Sequence, residues 1–221
     1  MTAPTQKSER TRALLSEIAL RSFRERGYDA TTIRLIANEA GVSVGTTNYH
    51  FSNKNGLVQE LYLEVQREHE AAARPLLADE DDLVARLAIV YRTGLAVLEP
   101  YHASAPEFLS AAVSPKASIN PLSEESRPSR EVVVGLFRDA LVGARRRLPT
   151  DLEERLPEAL LLAHLLLTLF WVYDSTPTRQ RTERLLEHGL RLLRLSLPLL
   201  RVRALRAPLR GMLEVIADVR A

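Results

Sequence analysis

Almost every stretch of this 221-residue chain repeats its apolar residues every three or four positions, and none alternates apolar with polar residues as a half-buried strand does. A chain patterned this way folds as helices whose apolar stripes face one another, so an all-α architecture is expected. The first helix spans about Glu9 to Arg26, with Ala13, Leu14, Ile18, Ala19 and Phe23 near one face and Gly27 as its stop. Thr31 and Thr32 offer a capping hydroxyl to a second helix that ends near Ala40, and Gly41 then turns the chain. Ser43 is placed to cap a third helix through His50, and Asn53 a fourth from Lys54 to Arg74, ahead of Pro75. Further helices are expected from Asp79–Asp82 to Leu98, from Ala105 to Ala117 and from Glu131 to Arg147. Others follow from Asp151 to Tyr173, from Thr178 to Leu197 and from Leu209 to Val219. Ser114 to Arg130, rich in Ser and Pro, reads as the most flexible loop. The organisation is three short helices, a connecting helix, then a bundle.

Composition removes several function classes. With no cysteine, disulfide scaffolds, thiolate zinc sites, iron–sulfur clusters and cysteine nucleophiles are excluded. The five histidines (His50, His69, His102, His164, His188) are dispersed, with no metal-binding pair, so neither a metal nor a cofactor is expected. No glycine-rich phosphate loop, Gly-x-Ser-x-Gly elbow or paired carboxylate site is present, which argues against an enzyme. The start, Met1 to Arg12, lacks the apolar run of a signal peptide, and the apolar stretch Ala159 to Tyr173 is shorter than the ~20 residues of a membrane span. A cytoplasmic protein without a membrane partner is expected. The net charge is only +2, yet residues 1–56 carry eight basic and five acidic side chains, a mildly basic head on a near-neutral body.

The stretch Thr31 to Leu61, TTIRLIANEAGVSVGTTNYHFSNKNGLVQEL, carries the most information. Ile33, Ile36, Ala37 and Ala40 form an inner face, Gly41 permits a tight turn, and Val42 plugs the angle between two helices. The third helix presents small and polar groups, Gly45, Thr46, Thr47, Asn48 and His50, beside Val44 and Tyr49. So short and polar a helix cannot be held by its own core face, and it makes sense against a hydrated polar partner such as the DNA major groove.

This stretch resembles the signature of the TetR family, a helix-turn-helix closing with Gly-Val-Ser-x-Gly-Thr-apolar-aromatic-x-His-Phe, then Lys and a leucine-rich helix. Gly41, Val42, Ser43, Gly45, Thr46, His50, Phe51, Lys54 and Leu57 stand where that pattern wants them, and Phe23, Gly27, Thr31, Thr32, Ile36 and Ala37 fit upstream. Thr47 departs from it where an apolar residue is usual, and Asn48 where an aromatic is usual. Thr47 is expected to bury its methyl and bond its hydroxyl to the helix backbone. The resemblance implies a helix-turn-helix DNA-binding domain over residues 1–53 and a ligand-binding and dimerisation domain over residues 54–221. It implies that Val44, Gly45, Asn48 and Tyr49 face base edges or sugars, and that Thr32, Thr46, Tyr49, His50 and Lys54 hold phosphates, with Arg34 at phosphate or groove edge. Only three of the 30 basic residues are lysines, yet one stands at position 54. Phe51 reads as core.

In the later helices, the apolar lines Leu186-Leu190-Leu193-Leu197 and Leu185-Leu192-Leu195 exceed what one core can cover, so a two-fold copy is expected on one of them. Leu160, Leu167, Trp171, Leu186, Leu190, Leu193 and Leu197 are the expected dimer-interface residues, and Trp171 serves equally well inside the bundle. The family encloses ligands between bundle helices, which makes Tyr91, Leu95, Phe108, Phe137, Phe170 and Tyr173 candidates to line a pocket for a small apolar ligand. Plain core is the alternative for each. His164 reads as a satisfied buried histidine. The expected function is a ligand-responsive homodimeric repressor of nearby genes that binds double-stranded operator DNA. Alternatives are an activator, a regulator without a small-molecule ligand, an architectural DNA binder, or a helical enzyme.

Overall fold

The computed structural model describes residues 6–145, 148–198 and 203–218, and every regular element among them is helical. In chain order these are α1 (Gln6–Ala30), α2 (Ile33–Glu39), α3 (Val44–His50), α4 (Lys54–Ala78), α5 (Leu83–Leu98) and α6 (Ala105–Ala112). They continue as α7 (Arg127–Val142), α8 (Thr150–Glu153), α9 (Leu156–Val172), α10 (Gln180–Ser196) and α11 (Arg203–Asp218). Short 3-10 turns cover Glu99–Ser104 and Pro177–Arg179. The expected helix ends at Arg147 and Val219 lie outside the described residues. Among those residues no helix is long and apolar enough to cross a membrane.

Several boundaries differ from the sequence expectation for local reasons. Pro75 does not end α4, which runs on to Ala78 and places Leu77 in the core. The expected helix from Asp151 is broken, and α9 restarts at Leu156 with Pro157 in its first turn, where a missing N–H costs nothing. α10 starts at Gln180 because Thr178 and Arg179 take left-handed φ values of 51° and 55°. Asp82 accepts a hydrogen bond from the Ala85 N–H at 3.0 Å and so caps α5, as the acidic run suggested.

The residues gather into two compact units, each built from two chain segments. One joins residues 1–65 with 98–129, and the other joins 66–97 with 130–221, so α4 contributes to both. In the first, Leu15, Ile18, Phe23, Ile36, Ala37, Phe51, Leu57 and Leu61 form the core. Of the stretch Ser114 to Arg130, read from sequence as a flexible loop, the last residues open α7 at Arg127 and residues 114–126 are tied to α4. The Asn55 side-chain amide donates to Ser118 Oγ at 2.9 Å, Gln59 donates to Ser126 Oγ at 2.9 Å, and the Tyr62 hydroxyl donates to the Ile119 carbonyl at 3.2 Å. These donors recur at helical spacing on one face of α4, while Ile119 is buried beneath the loop.

In the second unit, α4, α5, α7, α9 and α10 enclose a core that includes Leu77, Leu87, Val90, Tyr91, Leu136, Phe137, Leu161, Leu186 and Leu190. Arg86 lies inside this apolar set and donates to the carbonyls of Leu77, Glu80, Asp139 and Ala140 at 2.5–2.8 Å. Its charge therefore sits at the negative ends of α4 and α7, where it meets the Leu77, Glu80 and Ala140 carbonyls and shares the Asp139 carbonyl with the Gly143 N–H. At the corner between α9 and α10, buried Asp174 accepts from the N–H and hydroxyl groups of both Thr176 and Thr182. Burial pushes its carboxyl pKa up, but those four hydrogen bonds outweigh it and hold the group well below the usual carboxylate range.

Candidate nucleic-acid interface

The α2–α3 turn is set by backbone geometry. Gly41 takes φ +65°, its N–H donates to the Asn38 carbonyl at 3.1 Å, and the Val42 N–H reaches back to Ala37 at 3.0 Å. This double bond pattern is a Schellman ending, and the left-handed residue inside it favours glycine. α2 is capped by Thr32, whose hydroxyl accepts from the Leu35 N–H at 3.2 Å. α3 is capped by Ser43, which accepts from the Thr46 N–H at 3.0 Å and pairs with the Thr46 hydroxyl at 2.9 Å. Glu39 joins α2 to α1 through Arg26 at 2.6 Å and Arg21 at 3.4 Å, and hydrogen bonding to Arg26 lowers its carboxyl pKa. Thr31 is buried and bonds Ser22 and the Gly27 carbonyl, so of the two adjacent threonines only Thr32 stays exposed.

On α3 the two faces separate cleanly. Thr47 is fully buried and its hydroxyl donates to the Ser43 carbonyl at 3.3 Å, as expected for a threonine replacing an apolar residue. Val44, Gly45, Asn48 and Tyr49 all lie on the exposed side, with Tyr49 80% exposed. An aromatic ring left this open on a seven-residue helix belongs to no core among the described residues. Thr32 and Arg34 are exposed nearby in sequence, and Thr46 and His50 are half-buried. The His50 ring meets the edge of Tyr49 at 5.1 Å, and its carbonyl accepts from Arg12 at 3.3 Å.

Two supporting residues were missed from sequence. Arg12 lies over the Phe51 ring at 4.6 Å and pairs with Glu60, fastening α1 to the end of α3 and to α4. Tyr28 holds Lys54, whose ammonium sits 3.7 Å from the ring centroid. Burial lowers the Lys54 pKa, against the opposing charges of Asp29 and Glu107. Nothing local marks Arg12, because its partners lie 38 or more residues away.

Residues 15–61 match the profile of the bacterial regulatory proteins of the tetR family. Residues 86–211, more than half of the chain, match the Tetracyclin repressor-like C-terminal domain. The chain belongs to the TetR family. Among curated relatives, the TetR-family match to the regulator TtgR of Pseudomonas putida is 37% identical over 76 residues, covering 34% of this chain and 36% of that protein. The repressor KstR2 of Rhodococcus jostii is 28% identical over 149 residues, 66% of this chain and 72% of KstR2. Among solved structures, Thermus thermophilus FadR superposes with a TM-score of 0.62 at 24% identity, covering 82% of this chain and 92% of that one. A Streptomyces coelicolor TetR-family regulator gives 0.58 at 20% identity over 99% and 90%. At these identities the structural likeness speaks for the fold. The chain thus belongs to a family of transcriptional regulators, and it spans about a third of the length of the first curated relatives it matches.

Within this TetR-family frame the expected bundle residues divide differently. Tyr91 and Phe137 are buried with ring centroids 5.0 Å apart, and Leu95 packs against the same core. Phe108 does not join them. It lies in the first unit, against Phe23 at 5.6 Å and Tyr28 at 5.4 Å, because α6 belongs with α1. Phe170 and Tyr173 also stand apart from that core, Phe170 on the exposed side of α9 and Tyr173, at its C-terminal end, 72% exposed. Conversely, the expected interface residues Leu167, Trp171, Leu186 and Leu190 are buried within the protomer, and Leu160, Leu193 and Leu197 pack against its core. The uncovered apolar rows are Leu166, Phe170 and Tyr173 on α9 and Leu185, Leu192 and Leu195 on α10. Of the two leucine lines on α10, the core takes the first and leaves the second in the open.

Proposed function

We propose that the protein is a homodimeric, ligand-responsive repressor that binds a roughly palindromic operator. Residues 1–53 carry the reader, and residues 54–221 take up the ligand and dimerise. The observation that carries this reading is the exposed face of α3, where Val44, Gly45, Asn48 and an almost fully solvated Tyr49 stand opposite buried Thr47. Asn48 can pair with an adenine edge, and Gly45 lets the backbone approach a base or sugar. Thr32, Thr46, His50, Arg34 and the α4 start at Lys54 supply phosphate donors around it. Lys54 leaves the Tyr28 ring to reach a phosphate.

The uncovered rows on α9 and α10 support a two-fold interface, which would set two copies of α3 in successive major grooves ~34 Å apart. A ligand between the bundle helices would act through α4, and only by favouring one reader spacing over the other. The name repressor borne by KstR2 supports repression over activation. The reading gives the bundle a sensing role instead of a catalytic one and puts the protein in the cytoplasm, with its DNA.

Fluorescence anisotropy of labelled DNA from upstream of the protein's own gene, at ~0.15 M salt against a scrambled duplex, tests this. Specific binding at nanomolar protein is expected. Tyr49→Ala should abolish that binding while leaving the melting temperature and dimerisation unchanged. A variant that melts early would show Tyr49 to be structural, and the contact assignment would fall.

A further inference from the structure

Among the described residues, the bundle core contains two buried side-chain atoms without a hydrogen-bond partner. His164 on α9 is 4% exposed, and its Nδ1 has no hydrogen-bond partner. One helical turn on, the Thr168 hydroxyl is likewise buried and unpartnered. His164 belongs to the buried face of α9 with Leu161 and Trp171, and Thr168 is half-buried one turn along the same side. Orphaned buried polar groups are rare in native proteins, and each is destabilising unless something else meets it.

The surroundings restrict what that can be. The His164 ring lies 6.0 Å from His69, 5.9 Å from Tyr91 and 6.3 Å from Phe137, centroid to centroid. Gly94 leaves the two imidazoles their room, because a Cβ there would fall 2.6 Å from His164 and 2.9 Å from His69. His69 is already engaged, its Nε2–H donating to the Val90 carbonyl at 2.8 Å and its Nδ1 facing the Gln66 side chain at 3.2 Å. The Tyr91 hydroxyl donates to the Leu160 carbonyl at 3.2 Å, and the Arg86 guanidinium is taken up by four backbone carbonyls. Burial, with a smaller contribution from His69, lowers the His164 pKa to about 3, so the imidazole is neutral. Among the described residues, the ring neighbours of His164 are His69, Tyr91 and Phe137, none of them a fixed cation, and burying a carboxylate or phosphate unpaired beside them is strongly unfavourable.

We propose that the effector of this regulator is an uncharged, ring-containing alcohol or phenol whose hydroxyl bonds His164 Nδ1 and Thr168 Oγ1 and whose body lies against Tyr91 and Phe137. A hydroxyl donates once and accepts twice, so it suits an imidazole nitrogen in either tautomer and a threonine hydroxyl together. The proposal rests on the reading of the bundle as an effector site and adds the chemistry of the effector.

Calorimetry on the full-length protein at pH 7.5, with 2-naphthol, naphthalene and 2-naphthoate as probes, tests it. 2-Naphthol should bind about tenfold or more tighter than naphthalene, and 2-naphthoate should not bind. Thr168→Val, which keeps the side-chain shape, should bring the ratio of 2-naphthol to naphthalene affinities close to one. It should also raise the melting temperature of the ligand-free protein by about 2–4 °C, because an orphaned hydroxyl is removed. Equal binding of naphthalene and 2-naphthol, tightest binding of 2-naphthoate, no binding by any probe, or a lowered melting temperature in Thr168→Val would each overturn it. Operator anisotropy with and without 2-naphthol separates the two readings. Selective binding that leaves the DNA complex intact keeps the hydroxyl assignment and removes the effector role.

Discussion

Thr47 and Tyr49 stand two positions apart on α3 and meet opposite environments, one wholly buried and the other almost wholly solvated. Thr47 answers burial by bonding its hydroxyl to the Ser43 carbonyl, whereas Tyr49 stands in the open with the edge of the His50 ring beside it. The same question of partners governs His69 and His164. Burial is the first cause of the lowered pKa at both, helped at His164 by the neighbouring His69 and opposed at His69 by its bond to Val90. In the unfolded chain each titrates near the ordinary value of ~6.5. The folded state therefore binds fewer protons below that pH, so stability is full above about 6.5 and falls as pH drops toward the folded pKa values. The expected slope is up to ~1.4 kcal/mol per pH unit for each histidine. Urea denaturation from pH 7.5 to pH 5 should show the decline, and His164→Phe should flatten it. Equal pH slopes in the two proteins would mean that His164 charges freely in the fold.

At the level of elements, Arg86 is what one would not have placed in a core. It stands on the apolar face of α5 between Leu83 and Val90 and closes the ends of two other helices. Arg86→Met keeps the apolar stem but strips the Leu77, Glu80 and Ala140 carbonyls of their side-chain donor and leaves Asp139 with the Gly143 N–H alone, and a loss of about 3 kcal/mol in unfolding free energy is expected. A change under ~0.5 kcal/mol would mean that water replaces the guanidinium without penalty. The helices themselves were legible in the sequence because their period and caps are local, as Thr32, Ser43, Asn53 and Asp82 illustrate. The outward set on α3, Val44, Gly45, Asn48 and Tyr49, was legible through the family resemblance, with Thr47 standing where that pattern has an apolar residue. What stayed hidden depends on distant partners. Phe108 gave no sign that it would pack on Phe23 and Tyr28, the loop at 114–126 none that α4 would bind it, and Arg12 none of its contact with His50. On α10 two leucine lines of equal quality were visible, and periodicity could not say which faced inward. An arginine at 86 inside the run LVARLAIV was the one available signal that was passed over.

For the whole molecule, the proposed two-fold assembly rests on the open line Leu185, Leu192 and Leu195 of α10 and on Leu166, Phe170 and Tyr173 along and at the end of α9. Leu192 is 69% exposed in the protomer, so Leu192→Asp leaves the fold alone and puts a charge into the proposed two-fold contact. Sedimentation velocity should show a monomer of unchanged melting behaviour, with operator affinity lowered at least a hundredfold because two half-sites are no longer bound together. A dimer that persists would shift the interface elsewhere. The first compact unit has a consequence for anyone cutting or grafting such regulators. Its helices draw on two separated stretches of chain, with Arg24 donating to Tyr101 at 3.2 Å, Glu107 accepting from the Asp29 N–H at 3.0 Å and Ile119 buried under α4's polar row. A fragment ending at residue 53 or 65 would bare Phe23 and Tyr28 where Phe108 had covered them. Modularity along the gene and modularity in space therefore differ here. A chimera that borrows this reader for another sensor must transplant residues 98–129 along with the first 65, or redesign the face they cover.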